Sequence, residues 1–269
     1  MVELMTKIIT LLTDFGSFYP AQMKGVILSR LGDRAAEITF VDIAHDIPPQ
    51  DVRAGAFALL STARYFPAGT IHIAVVDPGV GTDRMGLVVQ GGGQIFVGPD
   101  NGLLLPAARS LGFCSSPPQA PQAYKIAVSQ ESLSTGHGPA SNTFHGRDIF
   151  APVAALLASG KSPASMGPRV RPKDLNFGAA RKTDQGFEAT IIYVDRFGNL
   201  ILNMRDLPAF SVSLKGIKLK AVRTYGQARR IEPLITLGSH GFAEIAVNQG
   251  NAAEAFRLKA GDRIELEEI

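Results

Sequence analysis

Along the first two thirds of the chain, short apolar runs alternate with segments of helical spacing. Ile8 to Leu12 is a β-type apolar run, and Met23 to Leu31 then places Met23, Val26, Ile27 and Leu31 at helical intervals. Ile38 to Ile43 predicts a second strand. Asp51 to Tyr65 predicts a helix with Val52, Ala56, Leu59, Leu60 and Ala63 on one side. Ile71 to Val76 is a third buried strand, and Leu87 to Val89 with Ile95 to Val97 flank Gly91-Gly92-Gly93 as a hairpin. Leu103 to Leu111 and Ile149 to Ala158 complete the helices. Strands alternating with helices predict an α/β domain.

The pattern changes in the last third. Phe187 to Val194, Leu200 to Asn203, Ile217 to Lys220, Phe242 to Val247 and Arg263 to Leu266 are short β-type runs separated by Gly, Pro and Asn. They predict a small all-β domain, a barrel or a sandwich. Between the two patterns, Ser162 to Asp184 carries prolines and charges. The expected organisation is an α/β N-terminal domain over 1–178, a linker over 179–185 and an all-β C-terminal domain over 186–269. No internal repeat is visible, and only Ser115 to Pro121 is low in complexity.

Composition narrows the function classes. The 269 residues are 45% hydrophobic, ample for a core. The net charge of +3, from 27 basic and 24 acidic residues, is dispersed without a Lys/Arg run, so no nucleic-acid partner is expected. A single cysteine, Cys114, excludes an intrachain disulfide and a cysteine-built zinc site. It stands in no Cys-His grouping and reads as a bystander. No stretch approaches a membrane span, and Ile8 to Leu12 is too short for a signal peptide. The expected location is the cytoplasm, with no membrane partner.

Two carboxylates follow strands: Asp14 after the first and Asp77 after the third. In open α/β sheets ligands bind outside the carboxyl ends of strands. Asp-Phe-Gly and Asp-Pro-Gly are also good turn sequences, so capping is the competing reading. In the segment from Asp77 to Arg84, Pro78, Gly79 and Gly81 suggest a chain forced close to something. Arg84, seven residues after Asp77, is spaced to return and face it. A phosphate cradle lacks the Gly-Lys-Ser/Thr ending it would need. Asn142 to Asp148 then carries His145 in a loop at a helix start, a place for work rather than core filling. His45 and His137 are further loop histidines, whereas His72 lies inside a strand pattern and reads as core. No His-x-x-x-His or Glu-x-x-His pair supports a metal site. Asp14-Phe15-Gly16 shares a tripeptide with protein kinases and nothing else of their signature. In the last third, Asp195 to Asn199, Gly238 to Phe242 and Asn248 to Ala253 are polar clusters between strands. Asn suits an adenine edge and Phe its face, and each cluster taken singly also suits a hairpin turn.

Taken together these motifs resemble the S-adenosylmethionine (SAM) hydroxide adenosyltransferase family, hydrolytic relatives of the SAM-dependent fluorinating and chlorinating enzymes. The matching stretches are Thr13 to Gly16, Met23 to Ile27, Tyr65 to Thr70, Val76 to Arg84, Gly98 to Gly102, Thr143 to Pro152, Asp195 to Asn199 and Ile245 to Ala253. The resemblance implies hydrolysis of SAM to adenosine and methionine in a homotrimer, with SAM between the N domain of one subunit and the C domain of its neighbour. It implies that Asp77, Arg84 and His145 position water or hydroxide. It also implies that Asp14 holds the ribose hydroxyls beside Phe15, that Asp195 and Ser239 grip the methionine end, and that Phe197, Asn199, Asn248, Asn251 and Ala252 meet adenine. Gln50 stands where halogenating relatives carry Trp, and His240 follows Ser239 where relatives vary.

The sulfonium makes methionine a good leaving group, so the task is positioning a nucleophile behind C5′, with no metal or cofactor expected. Halogenation is the nearest alternative. A halide 4 Å from the Asp77 carboxylate is repelled by about 4 kcal/mol at an effective dielectric near 20. A non-catalytic SAM or adenosine sensor would need the recognition residues without the triad.

Overall fold

A computed structural model describes residues 6–114, 118–133 and 140–269. His137 and Ser115 to Pro117 lie outside the described residues, as does the side chain of Cys114. The chain divides into two compact units, Met1–Leu175 and Asn176–Ile269.

The first unit opens with β1 (Lys7–Thr13), α1 (Phe18–Leu31), β2 (Ile38–Ala44), α2 (Val52–Ala63) and β3 (Ile71–Val75). It continues with β4 (Gly86–Gly91), β5 (Gln94–Pro99), α3 (Leu105–Cys114), β6 (Gln122–Lys125), α4 (Gln130–Leu133), α5 (Ala151–Ala158) and β7 (Arg169–Val170). The strands form one mixed sheet in the order β2-β1-β3-β5-β4-β6-β7. Its first four strands are parallel and the rest antiparallel. β1 and β3 lie in the interior of the sheet, which is why they read as unbroken apolar runs rather than alternations. The β4–β5 hairpin turns on Gly92 and Gly93, both at positive φ (57° and 77°), as a two-residue turn of right-handed twist demands. α2 starts where Asp51 accepts the Ala54 N–H at 2.9 Å as N-cap. α1 begins at Phe18, five residues before the expected Met23, with Pro20 in its first turn, where its missing N–H costs no helix bond.

The second unit contains β8 (Arg181–Thr183), β9 (Gly186–Val194), β10 (Leu200–Leu202), β11 (Val212–Leu214), β12 (Ile217–Ala221), β13 (Pro233–Leu237), β14 (Ala243–Val247), α6 (Ala252–Phe256) and β15 (Arg263–Glu268). Of the two expected architectures it is the barrel. Seven strands close in the order β9-β10-β14-β13-β12-β11-β15 and back to β9. Closure works because β9 is long: its first half pairs with β15 and its second half with β10. Residues 179–185, expected as a linker, instead carry β8, which folds back on β9 in the register Arg181↔Glu188 and Thr183↔Gly186. The charges read as a solvated linker are the outward residues of that edge strand. Leu200, Leu202, Ile235, Ala243 and Ile245 fill the barrel with no exposure.

Among the described residues, no helix is long and apolar enough to cross a membrane.

Candidate active site

Asp77 leaves the sheet two residues after β3, and Arg84 folds back onto it. Arg84 Nε donates to Asp77 Oδ1 at 3.0 Å and to Oδ2 at 3.1 Å, and its Nη2 donates to Oδ2 as well. The two side chains are 6% and 7% exposed, so this is a buried, charge-assisted pair. Arg84 Nη1 donates to the Met85 carbonyl at 3.2 Å, and the guanidinium carbon lies 5.3 Å from the centre of the Phe150 ring. The same Nη2 stands 2.8 Å from His145 Nδ1. Burial and the neighbouring Arg84 cation pull the His145 pKa below its ordinary value, against the opposing pull of Asp77 and Asp148. Arg84 and His145 both line a cavity of about 220 Å³, together with Thr82, Gly86, Ile126 and Ile149.

Neighbouring segments brace this arrangement. Asn101 Nδ2 donates to the Val76 carbonyl at 2.8 Å, just before Asp77, and the Asp100 N–H donates to the Met85 carbonyl at 2.8 Å, just after Arg84. The turn after β5 thus holds both ends of the Asp77–Arg84 loop. What this segment is forced close to is the backbone of Asn142: a Cβ on Gly81, at φ 77°, would lie 2.5 Å from the Asn142 oxygen. This contact lays one loop against the other that carries His145. His145 itself precedes a π-helical turn, Gly146–Phe150, that runs into α5, so the helix starts three residues before the expected Ile149. Such turns often mark functional sites. Buried Asp148 fastens the loop by accepting from the Ser141 N–H at 2.8 Å and from Arg147 Nε at 2.7 Å, and these donors hold its carboxyl below the usual range.

Asp14 leaves β1, which pairs with β3 in the register Thr13↔Val75, so Asp14 and Asp77 emerge from adjacent strands at one sheet edge. Asp14 Oδ2 accepts the Gln50 N–H at 2.7 Å, which Gln50 presents from a left-handed conformation (φ 65°). Phe15 meets Phe144 edge-on at 5.6 Å, and Tyr19 meets Phe144 at 5.2 Å, so an aromatic group joins the Asp14 loop to the residue before His145. His45 Nδ1 contacts Thr13 Oγ1 at 2.8 Å. His72 is core, with Nδ1 2.7 Å from Thr10 Oγ1 and Nε2 2.9 Å from Gln94 Oε1; burial holds its pKa down to about 4.

The remaining candidates lie in the second unit. Asp195 accepts the N–H groups of Phe197 and Asn199 at 2.9 Å each and the Asn199 side-chain amide at 2.9 Å, so it forms its own hairpin turn. That turn meets the start of α6, where the Ala253 N–H donates to the Gly198 carbonyl at 2.9 Å. Asn251 caps α6, Ala252 is buried, and Phe197 is 77% exposed beside them. Asn248 Nδ2 donates to the Ala228 carbonyl at 2.8 Å. Ser239 sits in the turn before β14, and Asn248 follows that strand. Beside Ser239, His240 Nε2 lies 3.0 Å from Oε2 of buried Glu244, whose other oxygen takes the Tyr225 hydroxyl. Burial, then Glu244, pushes the Tyr225 pKa up. Asp100, Asn101, Asp148, Tyr225 and Glu244 were not singled out from sequence. Asp100 and Asn101 fall within a matching stretch, but their bracing role needs the fold. Among the described residues, no group of three His, Cys, Asp or Glu side chains is arranged to hold a metal ion.

Comparison with known proteins agrees with this layout. The family model of the SAM hydroxide adenosyltransferase N-terminal domain matches residues 9–167, and that of the C-terminal domain matches residues 189–265. A protein from Thermus thermophilus named (R)-S-adenosyl-L-methionine hydrolase is 38% identical over 259 residues, covering 95% of this chain and 97% of its own. A fluorinase from an Actinoplanes species is 28% identical over 300 residues, covering 94% and 95%. The crystal structure of an uncharacterized conserved protein from Thermotoga maritima superposes with a TM-score of 0.80 at 33% identity, covering 96% of this chain and 99% of the other. With both domain models in sequence order and a relative of this identity along nearly its whole length, the chain belongs to the SAM hydroxide adenosyltransferase family.

Proposed function

We propose that the protein hydrolyses SAM to adenosine and methionine, and that the (R) epimer at sulfur, which the Thermus thermophilus relative's name specifies, is its substrate. The observation that carries this reading is the buried Asp77–Arg84 pair with His145 against it, at the sheet edge where Asp14 also emerges. Asp77 and His145 hold a water in line behind C5′, and Arg84 fixes both. Asp14 grips the ribose with Phe15 alongside. Asp195 and Ser239 take the methionine end, and Phe197, Asn199, Asn248, Asn251 and Ala252 take adenine. Because these residues divide between two units, a homotrimer with SAM between neighbouring subunits is the assembly we infer. We assign it to the cytoplasm, where SAM is made. The sulfonium leaves without help from a metal or cofactor, so catalysis reduces to orientation and exclusion of bulk water.

Charge alone does not exclude halogenation. The repulsion of about 4 kcal/mol between a halide and the Asp77 carboxylate holds for a bare carboxylate, and Arg84 bonds both oxygens and cancels much of it. What favours water is the carboxylate's remaining lone pairs, which can accept hydrogen bonds from water and offer a halide nothing.

The test is chromatography of products from SAM enriched in either epimer, with and without chelator and with chloride or fluoride in excess. Adenosine and methionine from the (R) epimer, unaffected by chelation, are expected. Methylthioadenosine, 5′-halo-adenosine as the main product, or strict dependence on a divalent ion would sink the reading.

A further inference from the structure

Resting on that reading, we infer that His145 acts as a hydrogen-bond donor to the nucleophilic water through Nε2–H, that Arg84 is the positioning residue which fixes this tautomer, and that Asp77 is left as the proton acceptor. Donor chemistry decides the tautomer. A guanidinium is always protonated and has no acceptor. Arg84 Nη2 lies 2.8 Å from His145 Nδ1, so Nδ1 must present its lone pair to that N–H. A neutral imidazole that accepts at Nδ1 carries its proton on Nε2. Among the described residues nothing accepts from Nε2, and the ring is only half-buried.

The surroundings enforce the neutral form. Arg84 is held in place by Asp77 on one side and the Met85 carbonyl on another, so it cannot swing away to let Nδ1 take a proton. The charged groups facing His145 are Arg84, Asp77 and Asp148, and burial together with Arg84 outweighs the two carboxylates. Asp148 is itself occupied by Arg147 and the Ser141 N–H. With Nδ1 blocked and Nε2 already protonated, His145 cannot remove a proton from water.

Atoms and charge balance in the resulting reaction. The water accepts from His145 Nε2–H with one lone pair and donates one hydrogen to an Asp77 oxygen. Its second lone pair forms the O–C5′ bond as C5′–S breaks, and the electrons of that bond become a lone pair of the methionine thioether. The oxygen, now bonded to carbon and carrying an extra proton, releases that proton to Asp77, which passes it to solvent. SAM and water become adenosine, methionine and one proton.

Two measurements test this. The first needs no substrate: nitrogen NMR of the protein labelled at histidine should show His145 with an unprotonated Nδ1 and a protonated Nε2, and Arg84→Met should change that pattern. A proton on Nδ1 in the wild-type protein overturns the inference. The second is single turnover of SAM. His145→Gln, which can present an amide N–H near the position of Nε2, should retain at least about a tenth of wild-type turnover, while His145→Ala falls about 10²-fold. Equal loss in both variants, each shown to be folded by circular dichroism, means that His145 serves as a base and overturns the inference. Failure of wild-type protein to turn over SAM would sink the hydrolase reading instead, and the nitrogen spectrum would still decide the tautomer.

Discussion

Replacing Asp77 by Asn removes one charge from a pair that solvent scarcely reaches, the side chains being 6% and 7% exposed. The Arg84 cation is then left beside a neutral amide. Breaking a buried pair by removing one partner costs about 3–5 kcal/mol, because the surviving charge has lost both its water and its counter-ion. Asn keeps one acceptor oxygen where the carboxylate had two, so the lower end, about 3 kcal/mol, is expected. For a unit of this size each kcal/mol moves the melting temperature by about 2–4 °C, which gives a fall of about 6–12 °C. Scanning calorimetry and urea titration measure it. The double variant Asp77→Asn/Arg84→Met should recover part of the loss, with a coupling of about 2 kcal/mol, since the stranded cation is gone. Single-turnover assays at about 15 °C below the lowest melting point then isolate chemistry, where Asp77→Asn should lose about 10²-fold or more. A stability loss under about 1 kcal/mol with additive double-variant energetics would refute the buried-pair argument. Wild-type turnover by Asp77→Asn would refute the catalytic one.

Three further outcomes are expected. His72 stays neutral in the fold, with its pKa held to about 4, whereas an unfolded histidine titrates near 6.5; the unfolded state therefore binds more protons in that window, and stability falls as pH drops from about 6.5 through 4, by up to about 3 kcal/mol. Denaturant melts of wild type against His72→Gln across pH 4 to 7 should show a shallower acid loss in the variant, and parallel curves would contradict the assignment. Asn101→Ala leaves the Val76 carbonyl and the Leu103 N–H without their side-chain partner, costs about 2–3 kcal/mol and slackens the Asp77 loop; turnover should drop more than SAM affinity, and an unchanged rate would show that the brace does not govern Asp77. Ile231 is a β-branched residue at φ 61° whose side chain is 58% exposed, so Ile231→Gly should raise stability by about 1 kcal/mol in thermal melts, and a loss would mean that its side chain contributes more than its backbone strain costs.

The elements most legible in sequence were those whose burial pattern is local. β1 and β3 are apolar because neighbouring strands and helices cover both faces, α2 because one face meets the sheet, and the β4–β5 hairpin is legible because Gly-Gly supplies the two positive φ angles its turn needs. What escaped was short or dependent on long-range pairing. β11 has three residues, β7 two and β8 three, too few to set up a period, and each exists only because a longer strand offers it a register. β13 begins with Pro233, which reads as a breaker. Proline is tolerated at the first residue of a strand, and here β13 takes a parallel partner on one side and an antiparallel one on the other.

The candidate site divides along the same line. Residue identities could be read from local motifs, but their connections could not, because those run between loops far apart in the chain. Arg84 reaches His145 across 61 residues, where Gly81 lets its loop lie against Asn142, and Asn101 reaches Val76 across 25. Sequence therefore left each C-terminal candidate with two readings, turn former or ligand contact, as though one excluded the other. The geometry removes that opposition. Asp195 accepts three bonds within its own turn, and a carboxylate has about four lone-pair sites, so the turn fixes its orientation while leaving one site for a donor from outside. Asn251 likewise holds α6 with its side-chain oxygen while its position beside Phe197 is set by the Ala253–Gly198 bond. A residue that shapes its own loop loses fewer rotamers when a ligand arrives, so the turn-forming role strengthens the case for recognition at these positions rather than competing with it.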